Sequence, residues 1–136
     1  MVDVSSPLTL ALAKAFGVYM IAGGLSGLLA PRRWEEILDG FEASPALSYF
    51  AGVCVFAFGA TIVLAHNIWS DPLSILITLY GWAAAIEAVV ILIAPRPLFA
   101  FARWMVRPMA IRAFAMGVIV LGVLVLAGGL FGRVSA

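Results

Sequence analysis

Between Pro72 and Arg96 the chain reads PLSILITLYGWAAAIEAVVILIAPR, an apolar run with one carboxylate, Glu87, deep inside it. A run of this length is read as a transmembrane helix, because hydrocarbon offers no partner to a backbone N–H or C=O and a helix satisfies them all internally. Three further runs of the same kind, about 8–30, 46–65 and 108–131, bring the expected spans to four. Composition agrees: 65% of the residues are hydrophobic, against about 45 to 50% in an ordinary soluble domain. The 136 residues leave room for the spans and short connections only. The expected fold is therefore all-α, a single polytopic transmembrane domain over 1–136.

Proline punctuates the chain. After a polar lead, 1–7, Ser6-Pro7 supplies a cap and a first-turn proline. Pro31 stops the first span, and in PRRWEEILDGF the residues Trp34, Ile37, Leu38 and Phe41 recur at helical spacing, with Glu35, Glu36, Asp39 and Glu42 mostly off that stripe. This spacing predicts a short amphipathic helix lying in the interface. Ser44-Pro45 opens the second span, and His66 to Asp71 form a turn with Trp69 at headgroup level. Asp71-Pro72 starts the third span and Pro95 ends it. PRPLFAFARWMVRP follows, a purely basic counterpart of the first connector in which Phe99, Phe101, Trp104 and Met105 lie against Arg96, Arg103 and Arg107. Pro108 opens the fourth span. No basic n-region or small-residue cleavage site precedes the first apolar run, so it is not read as a signal peptide.

A shift of 64 residues places Gly17 on Gly81, Leu28 on Leu92, Ala30-Pro31-Arg32 on Ala94-Pro95-Arg96, Ala46 on Ala110 and Phe50-Ala51 on Phe114-Ala115. The expectation is two parallel repeats, helical hairpins of about 8–65 and 72–131. Pro31-Arg32-Arg33-Trp34 just past one span, and Glu87 eight residues before Pro95 in the other, resemble the small two-helix bacterial inner-membrane proteins called YjeT-like. Their pattern is a span with a glutamate, a proline, an Arg-Trp amphipathic stretch and a second span. Here the features are divided between the units, with Gly23 at the glutamate position of the first and Pro97-Leu98 at the Arg-Trp position of the second. The resemblance implies a tandem duplication in an inner-membrane setting and no activity.

The charge of +1 argues against a nucleic-acid partner. One histidine and one cysteine exclude bis-histidine haem ligation, an internal disulfide and multi-cysteine metal sites. No enzyme and no cofactor is expected. His66 reads as a solvated or hydrogen-bonded residue at a helix end in the interface rather than a ligand or proton relay, Cys54 as a small packing residue, and Met105, Met109 and Met116 as lipid-facing or core methionines rather than a Cu(I) site.

The residues that remain carry the functional expectations. Glu87 lies about 10 Å from the nearer interface. It reads either as a protonated acid donating one hydrogen bond that holds the bundle or a dimer, or as a proton or cation site. Lys14 is the other ionisable group inside a span but lies about 13 Å from it along the axis. Small-residue pairs, Gly23 with Gly27, Ser48 with Gly52, Gly81 with Ala85, Ala113 with Gly117 and Gly128 with Gly132, are candidates for close helix packing, against each other, a partner or a second copy. Trp34, Arg32, Arg33, Arg96, Arg103, Trp104 and Arg107 are candidates for interfacial and lipid contact, and the third connector is expected to favour anionic lipid. The Lys and Arg count places connectors 31–45 and 95–108 in the cytoplasm and both termini in the periplasm. Two function classes follow. One is an accessory, assembly or structural module that binds other membrane helices; the other is a minimal dimeric transporter or channel built on Glu87.

Overall fold

The computed structural model describes residues 3, 4 and 6 to 134; Met1, Val2, Ser5, Ser135 and Ala136, which include parts of the expected lead and tail, lie outside the described residues. The elements are β1 (Asp3–Val4), α1 (Pro7–Leu29), α2 (Pro31–Ala43), α3 (Pro45–Ala65), α4 (Pro72–Ile93), α5 (Pro95–Met105), α6 (Pro108–Phe131) and β2 (Arg133–Val134). Each of these six helices opens on a proline. A first-turn proline loses nothing, since its missing N–H would have no helical partner, and it drives the residue before it out of the helical region. Ala30 and Ala94 accordingly end one helix and precede the next, with ψ of 63° and 79°. Pro31 and Pro95, expected as stops, are thus equally starts. Ser6, Ser44 and Asp71 cap α1, α3 and α4 by accepting the N–H of Leu8, Leu47 and Ser74.

α1, α3, α4 and α6 are long and apolar enough to cross a membrane. The termini and the 66–71 loop share one end of the bundle, here the terminal end; α2 and α5 occupy the other, the connector end. One feature was not legible in the sequence. Asp3 and Val4 pair in parallel with Arg133 and Val134, tying lead to tail beneath the buried Val4.

Packing follows backbone approach. α1 lies principally on α6 and α3 on α4, both antiparallel, and the smaller contact of α1 with α4 joins the two pairs. The first span of each sequence unit therefore rests on the second span of the other. Glycines set the seams: a Cβ added at Gly17 would stand 2.5 Å from Leu126 Cβ, and one added at Gly59 would stand 2.5 Å from the Ala85 amide nitrogen. Gly24, Gly122 and Gly129 on the α1·α6 seam, and Gly81 on the α3·α4 seam, are equally closed. Lipid gives no hydrophobic drive for helix association, so van der Waals contact at such approaches supplies it.

The seams recur at the interval found in the sequence. Gly17 meets Leu126 and Gly81 meets Ile62, and adding 64 to the α1 and α3 members gives the α4 and α6 members. Two contacts join a residue to its own counterpart: Asp39 to Arg103, 64 positions apart, and Phe16 to Tyr80, with ring centroids 5.0 Å apart. The apolar core, centred on Ala13, Phe16, Ile62, Ile77 and Val125, sits in the terminal half of the bundle.

The expected small-residue positions divide. Gly27, Gly52, Gly81 and Gly128 are seated against Ala115, Leu92, Ile62 and Leu73, Ala85 backs Gly59, and Ser48 is buried. A Cβ added at Gly23 or Gly117 would meet nothing within 4 Å, and Ala113 is exposed. Gly24, one position along from Gly23, takes the seam instead, because α6 crosses α1 on the 17, 24, 27 face. Gly132 serves as the C-cap of α6. A prediction follows from the seam at Gly59. Gly59→Ala should overpack and destabilise by about 1 to 3 kcal/mol, whereas Gly117→Ala should stay within about 0.5 kcal/mol of wild type. Thermal unfolding in detergent measures both, and equal midpoints would contradict the seam.

Candidate functional site: an intramembrane groove at Glu87

A groove of about 650 Å³ opens where α1, α3 and α4 face one another, lined by Ala15, Phe16, Tyr19, Cys54, Val55, Phe58, Tyr80, Ala83, Ala84 and Glu87. Each wall follows from a seam. On α4, Ala84 and Ala88 are buried while Glu87 is exposed, about 100° around the helix from Ala88. On α3 the packed face carries Gly52, Gly59 and Ile62, and Cys54 stands about 200° from Gly52. Cys54 is therefore exposed on the groove wall rather than packed inside, correcting the expectation of a packing residue. Phe16, Phe58 and Tyr80 form a contacting cluster with centroids 5.0 to 6.2 Å apart.

Glu87 makes no hydrogen bond or ion pair among the described residues. Lys14 is exposed on α1 and makes none either. The groove thus presents one carboxyl group in a mostly apolar, aromatic and small-residue setting, open to the side. A central acidic side chain costs about 2.5 to 3.5 kcal/mol on insertion scales. The small residues beside it, Ala83 and Ala84, leave space for another helix backbone to come close.

At the terminal end lies a polar cluster that the sequence reading missed. Thr9, His66, Ser74 and Thr78 are each 0% exposed and Asp71 is 8% exposed. Thr9 Oγ1 lies 2.8 Å from His66 Nε2 and 2.9 Å from Ser74 Oγ, which donates to Asp71 Oδ2 at 2.7 Å. His66 Nδ1 lies 3.2 Å from Thr78 Oγ1. The histidine is hydrogen-bonded, within the expected reading, but buried rather than in the interface.

At the connector end Arg103 on α5 donates to Asp39 at 2.7 Å and to Glu42 at 2.6 Å, both on α2. The hydrogen bond with Asp39, and then that with Glu42, holds its guanidinium pKa above the ordinary arginine range. Arg103 is therefore engaged by α2, while Arg32, Arg33, Arg96 and Arg107 are exposed. Phe101 and Trp104 stack at 6.0 Å and remain 56% and 54% exposed, an apolar surface at the connector end. On α2 Leu38 is buried, Trp34 and Phe41 are half-buried, and Ile37 is exposed. The Trp34 indole N–H is buried without a partner among the described residues. Met109 and Met116 are exposed on α6, and the half-buried Met105 ends α5.

No protein-family model, curated protein or solved structure matches the chain. The groove itself yields a chemical prediction. A hydrophobic carbodiimide, which reacts with protonated carboxyl groups in hydrocarbon, should form one adduct at Glu87 by peptide mass mapping, and none in Glu87→Gln. Absence of an adduct on wild type in lipid nanodiscs would contradict an open, unpaired acid.

Proposed function

We propose that this chain is an accessory or assembly module of the bacterial inner membrane that receives a transmembrane helix of a larger protein in the Glu87 groove. The observation that carries the reading is the unpartnered carboxyl group beside Ala83 and Ala84 on a groove open to lipid. A helix laid there, bearing a hydroxyl, an amide or a freed backbone carbonyl at the level of Glu87, gives the acid the hydrogen bond it lacks within its own chain. Besides Glu87 the groove carries the Cys54 thiol and the phenols of Tyr19 and Tyr80, and its lining holds no imidazole or cation to pair with the acid.

A second reading, a minimal dimeric transporter or channel with Glu87 as a proton or cation site, is favoured by one observation. Phe16 with Tyr80 and Asp39 with Arg103 are contacts between counterparts, as two related halves meeting about an axis would make. The same contacts support the duplication of a YjeT-like hairpin, which belongs to this proposal. Stoichiometric copurification of a larger membrane protein from native membrane supports the accessory role; a homodimer without a partner supports the transporter. Glu87→Gln, which keeps hydrogen bonding, should retain the partner, while Glu87→Ala should release it.

The orientation belongs to the same proposal. Arg32, Arg33, Arg96, Arg103, Arg107 and Arg112 lie at or near the connector end, against Arg133 at the other and Lys14 within the first span, so the connectors face the cytoplasm. In a Cys54→Ala background, Ser70→Cys should react with an impermeant maleimide in intact spheroplasts, and Gly40→Cys only after lysis. The reverse order would overturn the orientation.

A further inference from the structure

The Glu87 groove has the size and lining of a small-molecule site. Its 650 Å³ falls within the about 300 to 1,000 Å³ of clefts that enclose small ligands, and its walls are mostly apolar and aromatic with few polar groups, as in such clefts. Tyr80, Ala83, Ala84 and Glu87 follow one another at i, i+3, i+4 and i+7 and so share one face of α4. The carboxyl-bearing residue therefore stands about 10 Å along the axis from Tyr80, with two alanines between them as a floor. At the other end Phe16, Phe58 and Tyr80 are tilted by 46° to 84° to one another, with centroids 5.0 to 6.2 Å apart. They form a corner rather than a stack, and their faces look in different directions.

The charge pattern of this slot selects its ligand. The face of an aromatic ring is its negative pole, and a carboxyl is the group that becomes anionic, so both ends attract positive charge. No Lys, Arg or His lines the groove to answer them, and Lys14 is exposed outside the lining. A hard metal ion is poorly served, since one carboxyl and two phenols fall short of the about six to eight oxygens that calcium takes. A small hydrated cation would leave its water for a mostly apolar slot at large cost. A cation shielded by its own apolar groups has little water to lose, and it reaches the groove through the lipid on which the groove opens.

We infer that the groove is a binding site for a lipophilic organic cation, held with its apolar body against Phe16, Phe58 and Tyr80 and its charge toward Glu87. On binding, the carboxyl gives its proton to water and holds the cation as a carboxylate, so one proton leaves for each charge that enters. The other ionisable groups of the lining are the Cys54 thiol on α3 and the phenols of Tyr19 on α1 and Tyr80 on α4, none of which carries positive charge. The inference goes beyond the helix-receiving role and rests only on the open, unpaired acid. A cation and a helix exclude one another in the groove.

The probe is tetraphenylphosphonium, compared with an anionic and a neutral analogue, tetraphenylborate and triphenylphosphine oxide. Equilibrium dialysis against the full chain in zwitterionic nanodiscs, with empty nanodiscs subtracted, reads the binding. Phosphonium should bind once per chain, and at least tenfold more tightly than either analogue. Glu87→Gln should weaken it by about tenfold or more. Phe58→Leu should weaken it by about threefold or more, while Phe58→Tyr, which keeps a ring face, should bind as wild type does. Saturating phosphonium should also shield Glu87 from the carbodiimide. Equal binding of the three probes, no binding above empty nanodiscs, or unchanged affinity in Glu87→Gln would overturn the inference. Carbodiimide labelling that persists under saturating phosphonium refutes the cation site alone, whereas no labelling even without phosphonium refutes the open acid beneath every reading of the groove. The comparison of three probes uses the wild-type chain, so the test stays decisive if Glu87→Gln does not fold.

Discussion

The close approach of helix backbones at glycine, α1 on α6 and α3 on α4, is the constraint from which the rest of this structure follows. In water the burial of apolar side chains would hold such helices together, but between lipid and leucine there is little to choose. Contact must come from surfaces that fit, and at Gly17, Gly59, Gly81 and Gly129 the fit leaves no room for a single added methyl group. The two helix pairs are thus the sealed units of the protein. The order of the spans along the chain, first with second and third with fourth, is not the order in which they pack.

Because each pair is sealed by small residues, its bulky and polar side chains fall to the places where the pairs meet. Phe16 and Tyr80 meet in the terminal half, with Phe58 beside them. Polar ties hold both ends: Thr9 reaches His66 and Ser74 at one, and Arg103 reaches Asp39 and Glu42 at the other. The connector tie is exposed and contributes modestly, as surface ion pairs do. The buried tie is fully enclosed, and removing one member would strand the others without water. Between these ends lies the groove, which leaves Glu87 as a group that the chain itself does not complete.

The spans and connector helices were legible in the sequence because they rest on local signals, apolar length and a proline at each helix start. Glu87 was legible because a carboxylate in hydrocarbon is conspicuous by composition alone. The packing was not. A small-residue spacing reads the same on either side of a helix, so Gly23 and Gly24 could be told apart only by where α6 crosses. His66 read as an interfacial residue because its partner Thr9 is 57 positions away and arrives only when α1 docks beside α4. Arg103 read as a lipid contact because Asp39 belongs to the other connector. In each case the missing information was the pairing of distant helices rather than the character of the residue.

That pairing is open to direct measurement by disulfide trapping. A Cβ placed at Gly27 stands 3.0 Å from Ala115 Cβ on α6, so a give of about half an ångström between the helices reaches the separation of about 3.5 to 4.5 Å that a disulfide spans. Ala51 on α3 is the counterpart of Ala115 under the 64-residue shift, and would face Gly27 if each sequence unit closed on itself. In a Cys54→Ala background, mild oxidation in membranes should join Gly27→Cys to Ala115→Cys, read as protection from a mass-tagged maleimide, and should leave the Gly27→Cys, Ala51→Cys pair free. Trapping of the second pair and not the first would contradict the interlocked arrangement on which the seams, the groove and the buried polar line all depend.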